Sequence, residues 1–114
     1  MSNIEVGEWI RDKEGNITKV LNILSLFKDV YLYLGEDGYQ YSDNAIYNHS
    51  KNIIDLIEVG DYVNGEKVIR LFNPTFLSMG ELPYLITEKN KFEEYEIKSI
   101  VTWEMMKSVE YRVE

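Results

Sequence analysis

Two related heptapeptides decide the fold of this chain, and they lie a little over fifty residues apart: Ile4-Glu5-Val6-Gly7-Glu8-Trp9-Ile10 and Ile57-Glu58-Val59-Gly60-Asp61-Tyr62-Val63. All seven positions match in chemical type. A repeat of this period indicates two copies of one structural unit, because the apolar face of each copy needs a partner. The sequence therefore predicts a first β repeat over residues 1–56 and a second over residues 57–114, sharing an interface as one compact domain.

The remainder of each copy follows a common order. The pair Asn64-Gly65 lies between apolar runs and predicts a tight hairpin, because both residue types tolerate positive φ. The first copy uses a longer loop at residues 12–16. A tyrosine-rich strand then precedes a short helical turn and a last strand, which the apolar patterns place at residues 53–57 and 109–113.

These elements predict a mainly β fold with two short helical turns. We expect two barrel-like β-β-β-α-β units of the Src-homology or Tudor kind, packed as a pseudo-twofold pair, with one intertwined β domain as the alternative. The alignment pairs Trp9 with Tyr62 and pairs Ile46 with Met105 or Met106. It also places Trp9 and Trp103 in the interior.

Composition limits the function. The 114 residues include no cysteine and carry a net charge of −8, which disfavours direct binding to duplex DNA. The sequence shows no apolar run long enough to span a membrane and no leader, so we expect a cytoplasmic protein with no membrane contact. The acidic residues, including Glu93, Glu94 and Glu96, form either a solvated surface or a mimic of nucleic-acid phosphates.

No catalytic constellation is present in the sequence. His49 is the only histidine, and its neighbour Ser50 cannot form a triad-like pair with it. We expect His49 to cap a short helical turn, and Gly7 and Gly60 to occupy turns that need positive φ. The sequence predicts no enzyme, no metal site and no cofactor.

The aromatic residues are candidates for contact. A hairpin turn at residues 35–38 brings together four tyrosines, which either pack across strands or form a stacking platform: Tyr31, Tyr33, Tyr39 and Tyr41. The segment 72–83 breaks the repeat and contains two prolines. It either covers the end of a barrel or presents Phe76, Leu77 and Met79 to a partner.

Three stretches carry a resemblance to known proteins. Residues 4–10, 50–65 and 100–113 resemble small uncharacterised accessory proteins encoded by phages and prophages of Gram-positive bacteria. No activity is attached to those relatives, so the resemblance implies no functional residue. It implies a phage protein in the cytoplasm of an infected bacterial host, where variable surface stretches suit a binder whose target differs between hosts.

We therefore expect a non-catalytic phage protein that antagonises a host defence system or host enzyme by occupying a protein surface. Its partner would be a host protein, and a nucleic-acid-binding one if the acidic surface mimics nucleic acid. One alternative is a sponge that sequesters a nucleotide immune signal. Another is a virion or assembly component. The sequence leaves a homo-oligomer open.

Overall fold

The computed structural model describes residues 4–72 and 82–106, and it shows two antiparallel sheets of five strands each. The prediction of a mainly β fold is confirmed. The chain divides into two compact units, Met1–Leu56 and Ile57–Glu114. The second unit begins at the first residue of the second heptapeptide.

The first unit forms one sheet with the order β4-β3-β2-β1-β5. Its strands are β1 (Trp9–Asp12), β2 (Ile17–Phe27), β3 (Val30–Gly35), β4 (Gln40–Ser42) and β5 (Ile46–Ser50). Short 3₁₀ turns follow β4 at Asp43–Ala45 and β5 at Ile53–Leu56.

The second unit forms a sheet with the order β10-β6-β7-β8-β9. Its strands are β6 (Tyr62–Val63), β7 (Glu66–Phe72), β8 (Tyr84–Thr87), β9 (Lys91–Glu93) and β10 (Ile100–Val101). A 3₁₀ turn at Glu94–Glu96 follows β9, and residues 103–106 are helical. Counted within each unit, the strand order is the same, and in both units a 3₁₀ turn separates the fourth strand from the fifth.

Four details differ from the expected unit. Four strands precede the 3₁₀ turn instead of three, and no pairing within the described residues closes either sheet into a barrel. Ile46 begins β5 and corresponds to Ile97, since each donates its N–H to the first residue of the preceding turn; it does not correspond to Met105 or Met106. The predicted strand at residues 53–57 is wrong, because Ile53–Leu56 is a 3₁₀ turn. The strand predicted at 109–113 lies outside the described residues.

Each heptapeptide folds into the same turn. In the first, the N–H of Glu8 donates to the carbonyl of Glu5, and Gly7 has φ +95°. In the second, the N–H of Asp61 donates to the carbonyl of Glu58, and Gly60 has φ +102°. This type II geometry needs positive φ at its third residue, which confirms the prediction for both glycines.

A carboxylate fixes each turn from inside. Oε2 of Glu8 accepts the N–H of Glu5 at 2.6 Å, and Oδ2 of Asp61 accepts the N–H of Glu58 at 2.7 Å. Both acidic residues are buried: 6% of the surface of Glu8 is exposed, and none of the surface of Asp61. Each turn is also bonded to the second strand of its unit: Val20 on β2 and Val68 on β7 accept the N–H of the turn glycine and donate to the carbonyl of the carboxylate residue.

The apolar core of the first unit lies between its strands and the chain preceding β1. Its buried residues are Ile4, Ile10, Val20, Tyr33 and Tyr41. In the second unit Val63, Val68 and Leu85 are fully buried. The tryptophans contribute less than expected, because Trp9 is only partly buried and Trp103 is 42% exposed.

Candidate functional site

The tyrosine hairpin does not form a surface of four tyrosines. Tyr33 and Tyr41 face each other across β3 and β4, and both belong to the buried core. Tyr31 is partly buried against that core, whereas Tyr39 is 70% exposed. This arrangement is the cross-strand packing that the sequence left as an alternative.

The hydroxyls of the two buried tyrosines are committed to carboxylates. Tyr33 donates to Asp43 and Tyr41 donates to Asp37, each at 2.5 Å. Burial, together with the hydrogen bond and negative charge of Asp37, raises the pKa of Tyr41 well above its ordinary value. Asp37 also accepts the N–H of Tyr39, so this network organises the β3–β4 turn. It leaves no stacking platform on the hairpin.

The acidic cluster has a local structural role. The N–H of Glu93 donates to Oε1 of Glu96 at 2.9 Å, and the two residues form a capping box around the 3₁₀ turn. Glu93, Glu94 and Glu96 are all partly buried. The structure therefore brings the three together, but two of their side chains serve the turn. Phe76, Leu77 and Met79 lie outside the described residues.

Other carboxylates are also used within the fold. Asp12 accepts two backbone N–H groups and the side-chain amide of Asn16, which shapes the loop after β1. Glu66 accepts hydrogen bonds from Thr87 and Asn90, and these lower the pKa of its carboxyl group. Within residues 4–72 and 82–106, no group of three or more histidines or acidic residues could hold a metal ion.

His49 is not a helix cap, because it lies on β5. Its Nδ1 is 2.8 Å from Oε1 of Glu8, so the ring N–H donates to the carboxylate that fixes the first turn. In the second unit Oδ1 of Asp61 accepts the backbone N–H of Trp103 at 2.9 Å. Both carboxylates thus join their turn to the last strand of the unit or to the segment after it.

The outer face of β7, β8 and β9 carries a different set of side chains. Phe72 lies opposite Tyr84, and their rings stack with centroids 4.8 Å apart and an interplanar angle of 22°. Nζ of Lys91 lies 4.2 Å from the centroid of the Tyr84 ring. Arg70 and Lys91 both pair with Ile86, one from each neighbouring strand, and therefore share this face.

We call this surface the aromatic–basic face and define it by Arg70, Phe72, Tyr84 and Lys91. The opposite side of the same strands is the core side, because Leu85 between Tyr84 and Ile86 is fully buried. Arg70 and Lys91 are exposed, and Phe72 is 37% exposed. Ile69 on β7 and Leu82 before β8 are also exposed, whereas Leu71 pairs with Leu85 and therefore lies on the core side, where it is 37% exposed.

This face was not predicted from the sequence. Alternate residues of a strand lie on one side of a sheet, so the patterns Arg70-Leu71-Phe72 and Tyr84-Leu85-Ile86 indicate which side chains share it. Their register across β7 and β8 was needed to bring Phe72 onto Tyr84, and a shift between Val68 and Arg70 hides that register from the sequence.

Comparison of the chain with protein-family models, with curated proteins and with solved structures gave no match. No helix among the described residues is long and apolar enough to cross a membrane.

Proposed function

We propose that this protein is a non-catalytic binding protein that occupies a surface of a host protein through its aromatic–basic face. The observation that carries the proposal is the Phe72–Tyr84 stack with Lys91 over the tyrosine ring, on the exposed side of a sheet. Aromatic residues and arginine are the types that contribute most to binding at protein interfaces. Here they stand on paired strands, which hold them in place before a partner arrives.

The use of polar groups elsewhere supports a binding role. Glu8, Asp12, Asp61 and Glu66 are engaged in hydrogen bonds that build turns and loops. Glu93 and Glu96 cap a turn, so mimicry of nucleic acid rests on the net charge of −8 and not on that cluster.

The resemblance to phage and prophage proteins gives the proposal its biological setting. In that setting the protein antagonises a host defence system or host enzyme in the cytoplasm of the infected bacterium. We propose further that its two units are copies of one five-stranded unit. The shared strand order and the two identical turns support that origin.

Pull-down from lysate of a candidate host tests the proposal. Arg70→Glu and Phe72→Ala should each reduce the captured protein at least tenfold, because they remove a charge and a ring from the centre of the contact. Lys13→Glu and Tyr95→Ala are matched controls, since Lys13 is exposed in the first unit and Tyr95 is 74% exposed on the turn after β9. Capture that survives both test variants, with folding verified by circular dichroism, would refute the aromatic–basic face as the contact.

The same face supports a second candidate, a nucleotide sponge. A base could stack on the exposed ring of Phe72 while Arg70 contacts phosphate, and base stacking contributes about 1–3 kcal/mol per contact. Protein purified from infected cells would then show excess absorbance near 260 nm, and Phe72→Ala would remove it. Absence of nucleotide from the wild-type protein would leave host-protein binding, or the role of a virion component, as the remaining candidates.

A further inference from the structure

The longest strand among the described residues is paired along only part of one side. β2 runs from Ile17 to Phe27, and β3 pairs with it along its outer half as far as Phe27. On the other side β1 pairs only with residues 17–19, and Val20 bonds to the turn at Gly7 and Glu8. From residue 21 to residue 27, no strand of the described chain pairs with this side. We call these seven residues the open edge, and they span about 23 Å.

The open edge lacks the charged residues and prolines by which proteins normally protect such strands, and two register shifts are its remaining irregularities. Its sequence, Leu21-Asn22-Ile23-Leu24-Ser25-Leu26-Phe27, contains no charge, no proline and no glycine. Leu21, Leu26 and Phe27 are 51%, 50% and 74% exposed. The N–H of Ile23 donates to the side chain of its own neighbour Asn22, a contact that an incoming strand can replace. Register shifts against β3 lie between Val20 and Asn22 and between Ser25 and Phe27, so residues 22–25 are the regular part of the edge.

The backbone of the open edge determines what can cover it. A row of strand N–H and C=O groups is matched by another extended strand and by no other element. An acidic or basic peptide would find no opposite charge along the seven residues. The matching segment is therefore uncharged, apolar and extended.

The open edge of a second copy has these properties. Antiparallel pairing about a twofold axis places the same segment against itself, so complementarity needs no other sequence. The charge of the chain favours this choice as well, because two molecules of net charge −8 repel wherever their acidic surfaces meet. The open edge brings no charged side chain of its own to the contact.

We infer that the protein forms a twofold dimer in which the open edges of two copies pair as antiparallel strands and join two five-stranded sheets into one. The other side of β2 is already occupied by β3, so the pairing closes at two molecules and does not propagate. The exposed apolar side chains on and beside the edge offer on the order of 500 Å² per copy, below the roughly 800 Å² per partner of a standard interface. The dimer is therefore concentration-dependent.

Sedimentation velocity across a range of protein concentrations tests the dimer. The wild-type protein should shift from monomer to dimer, and Leu24→Lys and Leu26→Lys should each raise the dissociation constant at least tenfold, since edge lysines block strand pairing. Ile69→Lys is the matched control because Ile69 is 51% exposed on β7, and it should leave the dimer unchanged. A wild-type monomer at every concentration overturns the inference.

Hydrogen exchange locates the contact independently. Backbone amides of residues 21–27 should exchange more slowly as the protein concentration rises, and this protection should be absent in Leu24→Lys. A dimer that forms without such protection, or that tolerates both lysine variants, also overturns the inference. Arg70→Glu should keep the dimer while losing host-protein capture, so failure of the dimer and failure of the proposed function give different results.

Discussion

At the scale of single residues, two buried carboxylates perform the same task with different side chains. Glu8 reaches the N–H of Glu5 and the ring of His49, whereas the shorter Asp61 reaches the N–H of Glu58 and the backbone of Trp103. The partner changes from a side chain to the main chain, and this change accompanies the loss of one methylene. The fifth position of both heptapeptides is therefore a carboxylate because the turn needs that acceptor.

Neutral isosteres of these carboxylates should destabilise the fold. Glu8→Gln and Asp61→Asn each replace one accepting oxygen by a donor that faces another donor, so the free energy of unfolding should fall by about 1–3 kcal/mol. Glu5→Gln is the control, since the side chain of Glu5 is 72% exposed. Urea titration at pH 7 measures the difference, and a loss equal to that of the control would contradict this account.

Acid should remove the contribution of Glu8. Burial alone would raise the pKa of this carboxyl group, but hydrogen bonds from His49 and the N–H of Glu5, with the charges of His49 and Lys51, lower it below its ordinary value of 4.5. A group with a lowered pKa stabilises the fold above its unfolded pKa, and this stabilisation is lost as pH falls through the folded pKa.

The stability difference between wild type and Glu8→Gln should therefore shrink progressively below pH 4.5. Urea titrations at pH values from 7 to about 3 measure it. A difference that stays constant down to the acid limit would show that the charge of Glu8 is not what stabilises the turn.

At the scale of elements, the hairpin between β6 and β7 connects two parts of the second unit. Asn64 and Gly65 have φ values of +53° and +81°, which confirms the predicted tight turn of type I′. The side chain of Asn64 also accepts the N–H groups of Lys98 and Ser99 and donates to the carbonyl of Glu96. One residue thus closes the hairpin and holds the segment that leads into β10.

Two substitutions separate these roles of Asn64. Asn64→Gly keeps the positive φ but loses the side-chain hydrogen bonds, and it should lower the free energy of unfolding by about 2 kcal/mol. Asn64→Ala adds the cost of a left-handed alanine, about 1 kcal/mol more. Denaturant titration of both variants measures the two terms. Equal stability of Asn64→Gly and wild type would contradict the bridging role.

The sequence predicted the turns and most strands because local chemistry specifies them. A few neighbouring residues determine the local conformation at the heptapeptide glycines, at the Asn64-Gly65 pair and in the tyrosine-rich strand. The strand prediction at residues 53–57 was wrong because a short apolar run does not distinguish a strand from a helical turn. There the hydroxyl of Ser50 accepts the N–H of Asn52 and donates to Asp55, and this local bonding favours the turn.

The candidate site was harder to predict because it depends on contacts between strands. Alternation shows that Tyr31 and Tyr33 share a side of β3, but it does not say which side is buried. The core around Ile10 and Val20 decides that, and it takes Tyr33 with Tyr41 into the interior. The pairing of Phe72 with Tyr84 joins residues on either side of a long connection, which no local pattern encodes.

At the scale of the whole molecule, the two units differ in the surface chemistry of their second and third strands. The first unit presents a neutral strand edge, and the second presents rings beside Arg70 and Lys91. A neutral edge suits pairing with a second copy, whereas mixed aromatic and basic chemistry suits a different protein. On the two proposals made above, the neutral edge serves self-association and the aromatic–basic face binds the target.

Salt should distinguish the contributions of charge to these two contacts. Dimerisation brings together two chains of net charge −8, so raising the salt concentration from 20 to 500 mM screens their repulsion and should strengthen the dimer severalfold. Binding of the host protein through Arg70 and Lys91 would weaken over the same range, because salt screens the attraction between these charges and the partner. Sedimentation velocity measures the first and calorimetry with the captured protein measures the second. A dimer that weakens with salt would show that opposite charges hold the copies together, which the neutral edge between Leu21 and Phe27 does not supply.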